Sequence, residues 1–149
     1  MSRLKLKPPD PVTGGGRDDS KGGPGLDFSN EPAALDESGL AEWRRLAAEF
    51  ESDPGRFREG DRAGLEAYCS YFSDFLAASY AIQSQGLTVP GRSSADAGRQ
   101  VKNPAVAMKR EASQQLRLWA RELGLTPNAR AQMKIREPQQ PGNNENPFF

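Results

Sequence analysis

The sequence predicts a mainly α-helical fold, and three observations carry that expectation. Apolar side chains recur three and four residues apart in three separate segments; short polar residues stand where each segment would begin, and glycine or proline stands where each would end. A chain of 149 residues with 36% hydrophobic content can bury a core along only part of its length. The expected architecture is therefore a helical-hairpin core of about three to four helices with a small β-hairpin insert, carried between flexible N- and C-terminal arms. Residues 1–35 are expected to form a disordered arm, 36–134 a helical domain, and 135–149 a disordered tail.

The N-terminal arm is inferred from composition. Up to Ala34 it holds five prolines and six glycines with almost no large apolar residues, too few to offset the entropy of ordering. The first helix is expected to start near Asp36 to Ser38, whose side chains can cap open amides, and to run to about Glu51 through Leu40, Trp43, Leu46 and Phe50. Ser52-Asp53-Pro54-Gly55 stops it, and Phe57 is expected to tuck under as an anchor. A second, longer helix is expected from Glu59 or Asp61 to Gln85, closed by Gly86. Its apolar face is broad, with Leu65, Tyr68, Phe72, Phe75 and Leu76 joined by Cys69, Tyr80 and several alanines, so more than one neighbour is needed to cover it. Leu87-Thr88-Val89 and Arg99-Gln100-Val101, separated by a polar loop, predict the β-hairpin. Asn103-Pro104 opens the third helix, Gly124 closes it, and Thr126-Pro127 opens a short fourth one to about Met133.

Composition also excludes chemistry. The chain has no histidine and one cysteine, Cys69, so a zinc cluster, an internal disulfide framework and most general acid–base designs are excluded. No phosphate-loop motif is present, and Gly14-Gly15-Gly16 does not precede a helix start. A carboxylate nuclease built from Glu59, Asp61 and Glu66 is conceivable, but these are better read as acids favouring a helix N-terminus. No catalytic residue, metal or cofactor is expected. Neither a signal peptide nor a membrane-spanning run is apparent, and a reducing cytoplasm is the simplest setting.

Charges balance overall at 20 of each sign, yet they are segregated. Residues 36–85 carry five bases against ten acids, and residues 86–136 carry ten bases against three. In the third helix Arg110, Arg117 and Arg121 share one face, while Trp119 lies on the opposite, apolar side. Neither Arg110 nor Arg117 has an acid three or four residues away, so the charges are left open for an outside partner. Lys102, Lys109, Arg130, Lys134 and Arg136 extend the positive region at both ends, a pattern suited to duplex phosphates. A solvated helix face, or pairing of the basic segment with a neighbour's acidic one in a ring, fits the same residues. Trp43, Leu65, Tyr68, Phe72, Phe75, Leu76 and Trp119 are expected to make the core and the seam between subunits. Phe148-Phe149, at the end of a polar tail, read either as a frayed end or as a short peptide that docks into a pocket on a partner.

In their order and spacing, Ala41-Glu42-Trp43-Arg44-Arg45-Leu46, Asp61-Arg62-Ala63-Gly64-Leu65-Glu66-Ala67-Tyr68-Cys69, Gly86-Leu87-Thr88-Val89, Asn103-Pro104 and Leu123-Gly124-Leu125-Thr126-Pro127-Asn128-Ala129-Arg130 resemble a family of phage terminase small subunits, over about residues 36–134. The resemblance implies a helical, non-enzymatic protein of the host cytoplasm. Such a protein assembles into a homo-oligomeric ring, binds double-stranded viral DNA, and recruits or regulates the terminase large subunit, which holds the ATPase and nuclease centres. The family supplies no catalytic residues to transfer. Gly60 and Gly64 depart from its better helix formers and are expected to loosen the start of the second helix. The residues alone also allow a helical, oligomeric virion adaptor that does not bind DNA.

Overall fold

The computed structural model describes residues 25–133. It is mainly helical with one small antiparallel hairpin. The elements run α1 (Glu37–Glu49), a 3-10 turn at Glu59–Asp61, α2 (Arg62–Gln85), β1 (Thr88–Pro90), a 3-10 turn at Ser94–Asp96, β2 (Gln100–Lys102), α3 (Pro104–Glu122) and α4 (Pro127–Gln132).

Helix boundaries follow the capping chemistry. The Asp36 carboxylate accepts from the Gly39 amide at 2.8 Å at the start of α1. Asn103 Oδ1 accepts from the Ala105 amide at 2.9 Å, with Pro104 as the first residue of α3, and Thr126 Oγ1 accepts from the Ala129 amide at the start of α4. Each bond satisfies an amide that the helix cannot pair internally. Gly86 ends α2 at φ +85°, in the left-handed region that favours glycine.

Cross-helix contacts fix the directions. Gly64 meets Trp119 and Leu123, Lys109 stands over the Phe75 ring, and Asn103 Nδ2 donates to the Gly86 carbonyl at 2.8 Å. Residues late in α3 therefore lie beside residues early in α2, which makes α2 and α3 an antiparallel helical hairpin. Asp36 meets Ser73 and Trp43 meets Arg62, so α1 also runs antiparallel to α2, along its N-terminal half. With 24 residues, α2 is about 36 Å long at 1.5 Å per residue, and α1 covers only part of it.

The core sits at the covered end. Trp43, Leu46, Leu65 and Cys69 are fully buried, joined by Leu26, Phe57 and Leu123. Phe57 is the anchor expected from the sequence, packed edge-on against Phe50 at 4.9 Å between ring centres. Toward the distal end the α2–α3 seam narrows to small side chains, with Ala78, Ala105 and Ala112 buried.

The packed body also starts upstream of residue 36. The segment from 25 to 35, expected to belong to the arm, is fastened at several points. Leu26 is buried and its amide donates to the Phe57 carbonyl at 2.8 Å. Trp43 Nε1 donates to the Phe28 carbonyl at 2.9 Å, and Arg44 forms a two-point ion pair with Glu31. Residues 1–24 and 134–149 lie outside the described residues, and with them Lys134, Phe148 and Phe149.

Candidate nucleic-acid interface

The positive residues picked out in the sequence lie along α3 and at its two ends, and their surroundings differ. Arg110 and Arg117 are exposed, with no acidic partner among the described residues. Arg121 is also exposed and has one long ion pair, 3.6 Å from Glu122. Such an exposed pair contributes little, so the three guanidiniums remain open to solvent on one face of α3. From Arg110 to Arg121 the helix advances about 16 Å. The face owes its position to Ala105, Ala112, Trp119 and Leu123, which turn the other side of α3 toward α2 and the core.

The remaining basic residues have different surroundings. Lys109 is half-buried, with Nζ 5.2 Å from the centre of the Phe75 ring, an arrangement that attracts the ammonium to the π face. Arg130 is half-buried in α4 and its Nη1 donates to the Leu125 carbonyl at 3.0 Å. Lys102 is exposed on β2, at the N-terminal end of α3. The structure thus brings Arg110, Arg117 and Arg121 together on one face and places Lys109 and Arg130 off it.

The opposite layer is acidic, and its charges are partly tied up. Glu42, only 4% exposed, accepts two hydrogen bonds from the Arg45 guanidinium at 2.7 and 2.8 Å. Hydrogen bonding to Glu42 is also the main cause that raises the Arg45 pKa above its ordinary value. Asp36 bonds Ser73, and that hydroxyl, together with the Gly39 amide, holds the Asp36 carboxyl below the usual aspartate range. Burial pushes the Cys69 thiol up to about 12. A thiol so buried is a small hydrophobe, not a nucleophile.

Of the residues expected in the core or seam, Trp43 and Leu65 are fully buried, and Tyr68 and Trp119 pack against the core cluster. Phe72, Phe75 and Leu76 are only half-buried. They lie on the length of α2 that α1 leaves uncovered or only reaches, where Tyr80 is 63% exposed. Leu87 and Met108 add exposed apolar side chains toward the same distal end.

A cleft of about 940 Å³ lies between the β-hairpin and the adjoining helix ends, lined in part by Val89, Val101 and Pro104. Of its polar lining groups, Asn103 bonds Gly86 and Ala105 and Asp96 bonds Ser93, while Arg92 also borders it. Among the described residues no group of histidine, cysteine or acidic side chains could hold a metal ion. Nor is any helix long and apolar enough to cross a membrane.

Sequence reasoning passed over Arg92 and Arg99, which stand exposed in the hairpin loop. The signal available was local: the hairpin region holds three bases and a single acid, Asp96.

Against known families, residues 39–140 match the model described as phage terminase, small subunit. No curated protein and no solved structure matches the chain.

Proposed function

Because this chain belongs to the phage terminase small-subunit family, we propose that it works in viral DNA packaging as a non-enzymatic homo-oligomer, which binds double-stranded viral DNA and recruits or regulates the large ATPase and nuclease subunit in the host cytoplasm. The observation that carries the DNA-binding part is the α3 face. Arg110, Arg117 and Arg121 stand exposed on a helix whose other side is fixed against α2, and two of the three make no ion pair among the described residues. Phosphate contact gains free energy by releasing counterions and needs little sequence information, so open guanidiniums on a rigid support suit it.

Oligomerisation is supported by the uncovered part of the α2–α3 hairpin. Phe72, Leu76 and Tyr80, spaced four residues apart, form an apolar stripe that starts level with the N-terminus of α1 and runs on along the part of α2 that α1 leaves uncovered. A second copy laid on this stripe would bury what one subunit leaves wet. Repetition of the basic face around a ring, the arrangement we favour, would then supply the avidity that one weak site lacks. Lys102, Lys109, Arg130 and Lys134 are assigned flanking roles in DNA contact, and Phe148-Phe149 a docking role toward the large subunit.

A gel-shift series with duplex DNA tests the reading. Binding should weaken as salt rises, and replacing Arg110, Arg117 and Arg121 with alanine should weaken it further while native mass is unchanged. An oligomer that dissolves under the same replacement would assign the face to the subunit interface.

A further inference from the structure

We propose that the β1–β2 hairpin is a second DNA-contacting element, which reaches phosphates beyond the end of α3. The inference rests on the reading of this chain as a DNA-packaging subunit and adds an element to it. Arg92 and Arg99 lie in the loop and Lys102 lies on β2, and all three side chains are exposed. Register brings the first two close together. The Gly91 amide donates to the Arg99 carbonyl at 2.9 Å, and Arg92 is the next residue.

The local acid does not neutralise them. Asp96 is half-buried and faces back into the loop, where its Oδ2 accepts from the Ser93 hydroxyl at 2.7 Å. None of the three cations has an ion pair among the described residues. Like charges gathered without an ion pair repel one another in the free chain, and a polyanion offsets that cost.

The loop is also held in shape. The Asp96 amide donates to the Ser93 carbonyl at 3.0 Å and the Arg99 amide to the Asp96 carbonyl at 2.9 Å. At the base, the Asn103 amide donates to the Leu87 carbonyl at 2.9 Å. A preformed loop loses little conformational entropy when it meets a ligand. Its position favours a long polymer over a compact acidic partner. Lys102 lies two residues before α3, and Arg110 stands six residues into that helix from Pro104, about 9 Å along its axis. The hairpin therefore adds cations just beyond the N-terminal end of α3, and duplex DNA is long enough to present phosphates to both elements.

The test uses the full chain and a duplex DNA fragment across a salt series, comparing the parent with R92A/R99A and with R110A/R117A, and following native mass in parallel. The expected result is that R92A/R99A keeps the parent's mass and thermal stability but binds more weakly. The slope of log K against log salt should be shallower by about one or more, since each lost phosphate contact removes roughly 0.9. Unchanged affinity and slope in R92A/R99A, with R110A/R117A weakened, would overturn the hairpin assignment and leave the α3 face standing. Loss of the oligomer in R92A/R99A would also overturn it, because the hairpin would then be a subunit interface. A parent chain that ignores DNA at low salt would remove the packaging reading itself, and this inference with it.

Discussion

The Trp119 ring lies directly against Gly64, so close that a methyl group on that glycine would approach the ring to 3.1 Å. The contact locks the end of α3 onto the start of α2 at the edge of the core. A larger residue must push the indole and Leu123 away together, since a Cβ would also stand 3.3 Å from Leu123. Gly64→Leu should therefore destabilise the chain by about 1–3 kcal/mol, the usual cost of overpacking, read as a lower thermal midpoint.

Acid should loosen the join between α1 and α2. The Asp36 carboxyl is held below the ordinary aspartate value by the Ser73 hydroxyl first and the Gly39 amide second. A lowered folded-state pKa contributes stability that is present above the unfolded value and lost as pH falls through the folded one. Asp27, bonded to Ser29, and Glu31, bonded to Arg44, are shifted in the same direction. Thermal midpoints should therefore fall as pH drops below about 4, and Asp36→Asn should show a flatter acid limb than the parent.

Cys69 should resist labelling in the native state. Burial raises its thiol from 9.0 to about 12, which lowers the thiolate fraction at neutral pH by about a thousandfold before restricted reagent access is counted. A thiol reagent at pH 8 should report a slow reaction that becomes fast across the denaturant transition. Rapid labelling of the folded chain would show that the core opens around α2.

Lys109 and Arg117 should separate by what they do. Lys109→Ala removes the contact with Phe75 and should cost about 0.5–1 kcal/mol of stability, with a small effect on DNA binding. Arg117→Ala should leave the thermal midpoint within about 0.5 kcal/mol of the parent, as surface substitutions usually do, while weakening duplex binding. Calorimetry and gel shift on the two variants check the split.

Leu76→Asp and Tyr80→Asp place a charge on the uncovered stripe of α2. Neither residue belongs to the core cluster, so each variant should stay helical by circular dichroism. Each should also reduce native mass, because the charge would be buried between subunits without a partner. Sedimentation measures this directly.

Much of the fold was legible because it is written locally. Asp36, Asn103-Pro104, Gly86 and Thr126-Pro127 mark helix ends by bonds to residues a few positions away, and the structure uses each of them. What could not be read depends on distant partners. Leu26 and Phe28 are two apolar residues in a proline- and glycine-rich stretch, and only their contacts with Phe57 and Trp43 make them part of the body. Gly64 was expected to loosen α2; its lack of a side chain is what admits Trp119, fifty-five positions on. The candidate interface divides the same way. The shared face of Arg110, Arg117 and Arg121 follows from helical periodicity, whereas the placement of Lys109 over the Phe75 ring depends on the register between two helices.

The central claim is that copies of this chain gather through the uncovered helical hairpin and offer a cationic surface to duplex DNA. Sedimentation velocity of the full chain, alone and with a duplex fragment over rising salt, tests it most directly. The account predicts a discrete multiple of the 16.3 kDa chain that travels with the duplex at low salt and parts from it as salt increases. A single 16.3 kDa species that leaves the duplex unshifted at low ionic strength would contradict it.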